Sequence, residues 1–401
     1  MLVRPRLLFV SPRFLFPLDQ GGKIRTSNTL RGMKGGAFEI TLASPVPPDF
    51  ARFVGEIDGL CDRFVSWPEP RRSVGAKILA LVEALPVPVA TDRSAAGTAV
   101  IAAEYGARPD VVVVDFPHAQ VLLPKGPAPG PSVMFTHNVE AEIFERHADV
   151  ARFPMRSVWR SQARKMRRFE GAALRGCDAV IAVSARDGRA LERDYGLAAV
   201  DTIDTGVDLD FYRFSAPSPA AAGGGRLVFS GAMDSRSNID GVTWLAEEVW
   251  PHVVARRPDA SVVVVGRNPP DGLVAKVKAL GVAFSFTGFV DDIRPHIVAA
   301  DVSVIPLRVG SGTRIKAFEA MALGRPVVST RIGTEGLDIT PETHFLERDD
   351  PAAFADAVLA LLDGPVMASA MASAARARLE ERFSWSHVAR QFEAICLRQL
   401  R

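Results

Sequence analysis

Arg6-Leu-Leu-Phe-Val-Ser-Pro12, close to the start of the chain, returns near its middle as Arg226-Leu-Val-Phe-Ser-Gly-Ala232. Each copy is a short apolar run closed by small residues, the pattern of a strand buried on both faces of a parallel sheet. Outward from the first copy, further strands are expected over 38–44, 63–67, 111–116, 133–137, 179–184 and 200–204. Helical periodicity fills 23–33, 74–83, 91–105, 141–175 and 186–195 between them. Outward from the second copy, strands are expected over 261–266, 284–286, 302–306, 327–330 and 344–346. Between the two sets, Ser215-Ala-Pro-Ser-Pro-Ala-Ala-Ala-Gly-Gly-Gly225 carries no charge and no large apolar side chain, the composition of a linker. Alternating strands and helices predict an α/β fold of two facing Rossmann-like, doubly wound domains, 1–205 and 206–384, with a ligand cleft between them. The stretch 385–401 reads as an amphipathic helix that packs back on the first domain.

The length of 401 residues supports two domains of about 200 residues each. Lys and Arg total 48 against 46 Asp and Glu, a net charge of +2, so overall charge gives no support for a nucleic-acid partner. Cys61, Cys177 and Cys396 are odd in number and far apart, which fits a reducing cytoplasm. The apolar run near the N-terminus reads as a buried strand rather than a signal peptide. No stretch approaches the roughly 18 apolar residues of a spanning helix. The expectation is a cytoplasmic protein, free or resting on the inner face of the plasma membrane.

The chemistry concentrates in Val309-Gly-Ser-Gly-Thr-Arg-Ile-Lys-Ala-Phe-Glu-Ala-Met-Ala-Leu-Gly-Arg-Pro-Val-Val-Ser-Thr330. A strand ends near Pro306, a loop containing Ser311, Gly312 and Thr313 follows, and a helix starts near Thr313. Amides at a helix N-terminus attract phosphate, and small residues let it approach the backbone. Arg314 and Lys316 place two cations where the helix dipole disfavours them, a conflict that an anion between them resolves. The competing reading is two solvated cations, with Lys316 pairing with Glu319 at i,i+3.

This string resembles the donor-site signature of the retaining glycosyltransferases of family four, the group 1 glycosyl transferases, which have the GT-B fold. The resemblance runs through Gly21-Gly22, Thr136-His-Asn-Val-Glu140, Asp178-Ala-Val-Ile-Ala-Val-Ser184, Thr205-Gly-Val-Asp208 and Phe286-Thr-Gly-Phe-Val-Asp-Asp292. It implies transfer of a sugar from a nucleotide-diphosphate sugar, with retention, in polysaccharide, glycolipid or glycoconjugate synthesis. The acceptor would be a carbohydrate, a lipid-linked group or a protein. It also implies that Glu319 grips the donor ribose, that Arg314 and Lys316 neutralise the leaving diphosphate, and that Gly288, Phe289 and Val290 meet the base. His137 matches a histidine near the reacting carbon and is the expected catalytic residue, a capping or core histidine at a strand end being the other reading. Gly21 and Gly22 would offer amides to phosphate or sugar, a plain turn being the other reading. In the loop with Gly231 and Arg236, Ala232 and Asn238 stand where the family often has Arg and Lys on the phosphates. Ser311 stands where it often has a first glutamate. No metal and no cofactor beyond the nucleotide sugar is expected, because the cations and helix amides suffice for the leaving group.

Two other classes stay open: a non-catalytic nucleotide-sugar-binding partner of another transferase, and an epimerase or phosphorylase on the same scaffold. A nicotinamide dehydrogenase is disfavoured, since neither half opens with Gly-x-Gly-x-x-Gly after its first strand. Finally, Arg152, Arg156, Arg160 and Arg164 fall at helical spacing, with Lys165, Arg167 and Arg168 beside them. The stripe from Arg152 to Arg168 reads either as a contact for an anionic membrane or a phosphate-bearing lipid acceptor, or as a solvated face.

Overall fold

A computed structural model describes residues 4–70, 73–217, 224–309 and 315–401. The expected donor residues Ser311, Gly312, Thr313 and Arg314 therefore lie outside the described residues. The chain divides into two compact units, Met1–Thr205 with Trp385–Arg401, and Gly206–Ser384.

The first unit is built on a seven-stranded parallel sheet. Its strands are β1 (Arg6–Val10), β2 (Glu39–Val46), β3 (Arg63–Pro68), β4 (Val111–Asp115), β5 (Ser132–Phe135), β6 (Ala179–Ala182) and β7 (Asp201–Thr202). Their order is β3-β2-β1-β4-β5-β6-β7, so the winding reverses between β1 and β4. Because side chains alternate along a strand, Leu7 and Phe9 enter one core while Leu8 and Val10 enter another on the opposite face. The first of these cores is completed by Val388, Phe392 and Ile395 of the helix Trp385–Arg398, with Phe392 edge-on to Phe135 at 5.0 Å. Burial of these apolar chains, at about 25 cal/mol per Å², ties the last residues to the first unit.

The second unit has a six-stranded parallel sheet of β8 (Gly224–Ser230), β9 (Asp259–Val265), β10 (Phe284–Phe286), β11 (Val302–Ile305), β12 (Val327–Ser329) and β13 (Leu346–Glu347). Its order, β10-β9-β8-β11-β12-β13, reverses between β8 and β11. A single core unites both faces of the sheet with the helices around it, Trp250, Phe318, Phe354 and Phe383 among them.

Several helix boundaries differ from the sequence reading. The periodicity over 141–175 is split into two helices, Glu140–Val150 and Met155–Arg175. Pro154 between them lacks an N–H and its ring obstructs a continuing helix. Arg152 therefore lies in the connection and not on the helical stripe that starts at Arg156. The helix expected over 91–105 is likewise two, Val87–Asp92 and Ala95–Gly106, the second opened by Ser94, whose side chain accepts from the Gly97 amide. The first long helix starts at Gly21, two residues before Lys23. Among the described residues no single helix is long and apolar enough to cross a membrane.

Candidate donor-side and acceptor-side sites

In a doubly wound sheet ligands collect beyond the carboxyl ends of the strands where the order reverses. In the first unit that place is held by Ser11 after β1 and Asp115 at the end of β4, with His137 just beyond β5. All three are buried. The Asp115 carboxylate accepts from Ser11 Oγ at 2.9 Å, from Thr26 Oγ1 at 3.1 Å and from His137 Nε2 at 2.8 Å. On the other side of the ring, Arg25 Nη1 lies 3.2 Å from His137 Nδ1, and Arg25 Nη2 donates to Thr205 Oγ1 at 3.0 Å. A guanidinium can only donate, so Nδ1 is the acceptor and the ring proton sits on Nε2, facing Asp115.

His137 is thus a neutral imidazole fixed in one tautomer. Burial pushes its pKa below the ordinary histidine value, against the pull of Asp115. Burial likewise brings Arg25 down to about 10, with Asp187 and Asp115 opposing. The imidazole is sandwiched between Phe116, stacked at 4.0 Å, and Phe135 at 4.3 Å. With both nitrogens engaged and its side chain 1% exposed, His137 is the centre of a buried network rather than a group open to solvent.

Gly21 and Gly22 are the first two residues of the helix Gly21–Met33, and Gln20 before them supplies no side-chain cap. No side chain of that cap covers the first-turn amides. A Cβ on Gly21 would meet open space, whereas one on Gly22 would lie 2.6 Å from Phe116 Cζ. Gly22 is therefore required by the approach of Phe116, itself in a positive-φ conformation at +63°.

A second buried carboxylate supports this region. Glu170 accepts from the backbone amides of Glu140 (2.7 Å) and Ala141 (3.1 Å) and from the Tyr195 hydroxyl, capping the helix that follows His137. Burial raises its pKa to about 7.

In the second unit the equivalent place lies after β8. Lys316, on the helix Ile315–Ala322, donates to Asn238 Oδ1 at 2.9 Å and sits 4.5 Å from the centroid of Phe229. Asn238 in turn donates to the Ala232 carbonyl at 2.8 Å, which pins the loop after β8. A Cβ on Gly231 would fall 2.9 Å from Lys316 Nζ and 2.8 Å from Asn238 Nδ2, so glycine there admits the ammonium to the backbone. Gly266 lies as close on the other side: its Cβ would collide with the Gly231 carbonyl.

One helical turn beyond Lys316, Glu319 Oε1 accepts from the Tyr212 hydroxyl at 2.8 Å. Burial raises the Glu319 pKa, while Tyr212 and Lys316 pull it back. Tyr212 is positioned through its neighbour: Arg294 pairs with Asp292 at 2.8 Å, donates to the Phe211 carbonyl at 3.0 Å and stacks over the Phe211 ring at 3.7 Å. Gly288 adopts a φ of +70° and bridges Gly266, which turns Phe289 outward to 72% exposure while Val290 packs on the core. Arg236 opens the helix Arg236–Trp244 and is exposed.

Two family profiles match this arrangement, "Glycosyltransferase Family 4" over residues 30–211 and "Glycosyl transferases group 1" over residues 224–364, one on each unit. The chain belongs to glycosyltransferase family four.

Among relatives in that family, a GDP-mannose-dependent monoacylated α-(1-6)-phosphatidylinositol monomannoside mannosyltransferase of Corynebacterium glutamicum is 30% identical over 145 residues, 34% of this chain and 38% of the relative. A phosphatidyl-myo-inositol mannosyltransferase of Mycobacterium tuberculosis is 31% identical over 198 residues, 47% of this chain and 51% of the relative. The chain thus spans about half the length of the curated relatives it matches. In fold it is similar to Anabaena HepE in complex with UDP and glucose, with 15% identity, 98% of this chain and 99% of that chain covered, and a TM-score of 0.61. That likeness shows the two Rossmann-like domains of the GT-B fold.

Against the family signature, Lys316, Glu319 and Gly231 come together within one unit, and Asn238 joins them as the lysine's acceptor. Gly21, Gly22 and His137 belong to the other unit. Four residues escaped the sequence reading: Asp115, Thr26, Arg25 and Tyr212. Asp115 had a readable signal, an acid ending the all-valine run Val111–Val114. Tyr212 had none.

Proposed function

We propose that the chain transfers a sugar from a nucleotide-diphosphate sugar to a hydroxyl acceptor, with retention of configuration and without a divalent cation. The observation that carries this reading is the pair on one helix: an ammonium held at glycine backbone, and a carboxylate one turn further on. That pair suits a diphosphate and the ribose hydroxyls attached to it. The Lys316 charge would stabilise the negative charge that grows on the diphosphate as the C1–O bond breaks. As the acceptor oxygen bonds to C1 on the same face, its proton passes to the departing phosphate oxygen, so no protein nucleophile is needed. Arg314 would add a second cation, and the amides of Gly21 and Gly22 would meet the sugar or phosphate. Gly288, Phe289 and Val290 would face the base, and His137 would act from inside the first unit by fixing Asp115 and Arg25.

The GDP-mannose dependence of one relative supports a nucleotide-sugar donor. The inositol-phospholipid acceptors of the related mannosyltransferases favour a lipid-linked acceptor and, with it, a role in glycolipid or polysaccharide synthesis.

The test is nucleoside diphosphate release from a panel of UDP-, GDP-, ADP- and dTDP-sugars. Release from one of them, unchanged when a chelator is added, is the expected result. Binding with no release from any donor would favour the non-catalytic partner, and loss of release with the chelator would contradict metal independence.

A further inference from the structure

We infer that the first unit carries a docking surface for an anionic lipid bilayer, made from an apolar tip and a row of arginines on two neighbouring segments. This inference stands apart from the donor chemistry and does not depend on it.

The tip is the end of the helix Val74–Ala80 and the turn after it. Ile78 is 61% exposed, Leu79 64% and Val82 83%, a run of large apolar side chains that a soluble surface has no reason to present together. The row is the outward face of the helix Met155–Arg175, whose inward face buries Gln162, Ala163, Met166 and Glu170. Arg156, Arg160, Arg164 and Arg168 are exposed on it. Among the described residues none of these four has an ion-pair partner, whereas Arg167, nearer the core, is neutralised by Glu145 at 2.6 Å and Asp194 at 3.4 Å.

Two contacts make tip and row one surface. Lys165, next to Arg164, donates to the Leu81 carbonyl at 2.8 Å, and Gln162 Oε1 accepts from the Val87 amide at 2.8 Å. The segment bearing Ile78, Leu79 and Val82 is thereby fastened along the arginine helix. At that helix's N-terminal end Phe153, 85% exposed, stands between Arg152 and Arg156 and adds a second apolar point.

Apolar side chains flanked by unpaired cations match the interface of a bilayer with acidic headgroups: the chains enter the acyl boundary and the guanidinium groups meet phosphate. Charge decides the occupant. A second copy of this chain would have to bring an acidic face, and neutral lipid would leave four arginines without partners.

The experiment is sedimentation of the full chain with vesicles of phosphatidylglycerol and phosphatidylcholine, against vesicles of phosphatidylcholine alone. Binding is expected only with the acidic lipid and is expected to fall steeply with salt. The double variant Arg160→Glu/Arg164→Glu should bind at least roughly 30-fold more weakly, given about 1 kcal/mol for each of the cations removed from the surface. Val82→Trp, an exposed site that folding tolerates, should show a blue-shifted emission that brominated lipid quenches. Equal binding to neutral vesicles, an undiminished Arg160→Glu/Arg164→Glu variant, or an unquenched Trp on bound protein would overturn the inference. So would a concentration-dependent dimer that buries the Trp without lipid. Donor binding should be unchanged in both variants, so failure here leaves the donor site untouched.

Discussion

Replacing Lys316 by alanine is expected to weaken nucleoside diphosphate binding by roughly 30- to 100-fold, about 2–3 kcal/mol, the size of one charge-assisted hydrogen bond. Sugar transfer should fall further, by on the order of 100-fold, because the lost interaction strengthens as the diphosphate leaves. The folded protein should tolerate the change. Lys316 is half-buried, and its contacts include one amide oxygen and the face of Phe229. The free chain's Tm is thus expected to move little while the Tm rise caused by nucleotide disappears, since stabilisation by a ligand follows its affinity. Isothermal titration with the preferred nucleoside diphosphate gives the first number and initial rates give the second. Undiminished affinity in Lys316→Ala would remove this residue from the donor site.

Replacing Asp115 by alanine should act in the opposite way, on stability before binding. The carboxylate is fully buried and receives donors from Ser11, Thr26 and His137 while balancing the buried Arg25. Its removal strands those donors and leaves the buried guanidinium with Asp187 alone as a counter-charge, a change that costs about 3–5 kcal/mol. For a unit of this size that corresponds to a Tm roughly 10 °C lower. Asp115→Asn keeps the shape and part of the hydrogen bonding, so it should fall between alanine and the parent. Thermal unfolding followed by circular dichroism separates the three. If Asp115→Ala unfolded with the parent, the network around His137 would be incidental to the fold.

The strands were legible because each is a short, almost purely apolar run, and both faces of both sheets are covered. The repeated opening at β1 and β8 placed each centre strand beside its switch point. What failed was local competition along the helices. Periodicity carried the reading through 151–154 although Pro154 stood in the way, and it put Arg152 on a helix it does not enter.

In the candidate donor site, the pairing of Lys316 with Glu319 was legible because both lie on one helix, where spacing alone sets which residues are neighbours. Their partners were not. Asn238 and Tyr212 arrive from segments 78 and 107 residues away, and no local pattern announces that approach. The network around His137 hid for the same reason. Arg25 and Thr26 sit in a helix that reads as polar and exposed, yet they are buried because His137, Asp115 and Thr205 come from three other segments to meet them. His137 itself was found by its motif, but its tautomer follows from Arg25, which only the fold supplies.

The most direct measurement is a crystal structure of the chain soaked with UDP or GDP, whichever raises Tm more. The diphosphate should lie within hydrogen-bond distance of Lys316 Nζ, beside Gly231, with the ribose hydroxyls on Glu319 in the place that Tyr212 borders. A nucleotide bound elsewhere, with Lys316 still donating to Asn238 over an unvisited loop, would contradict the account.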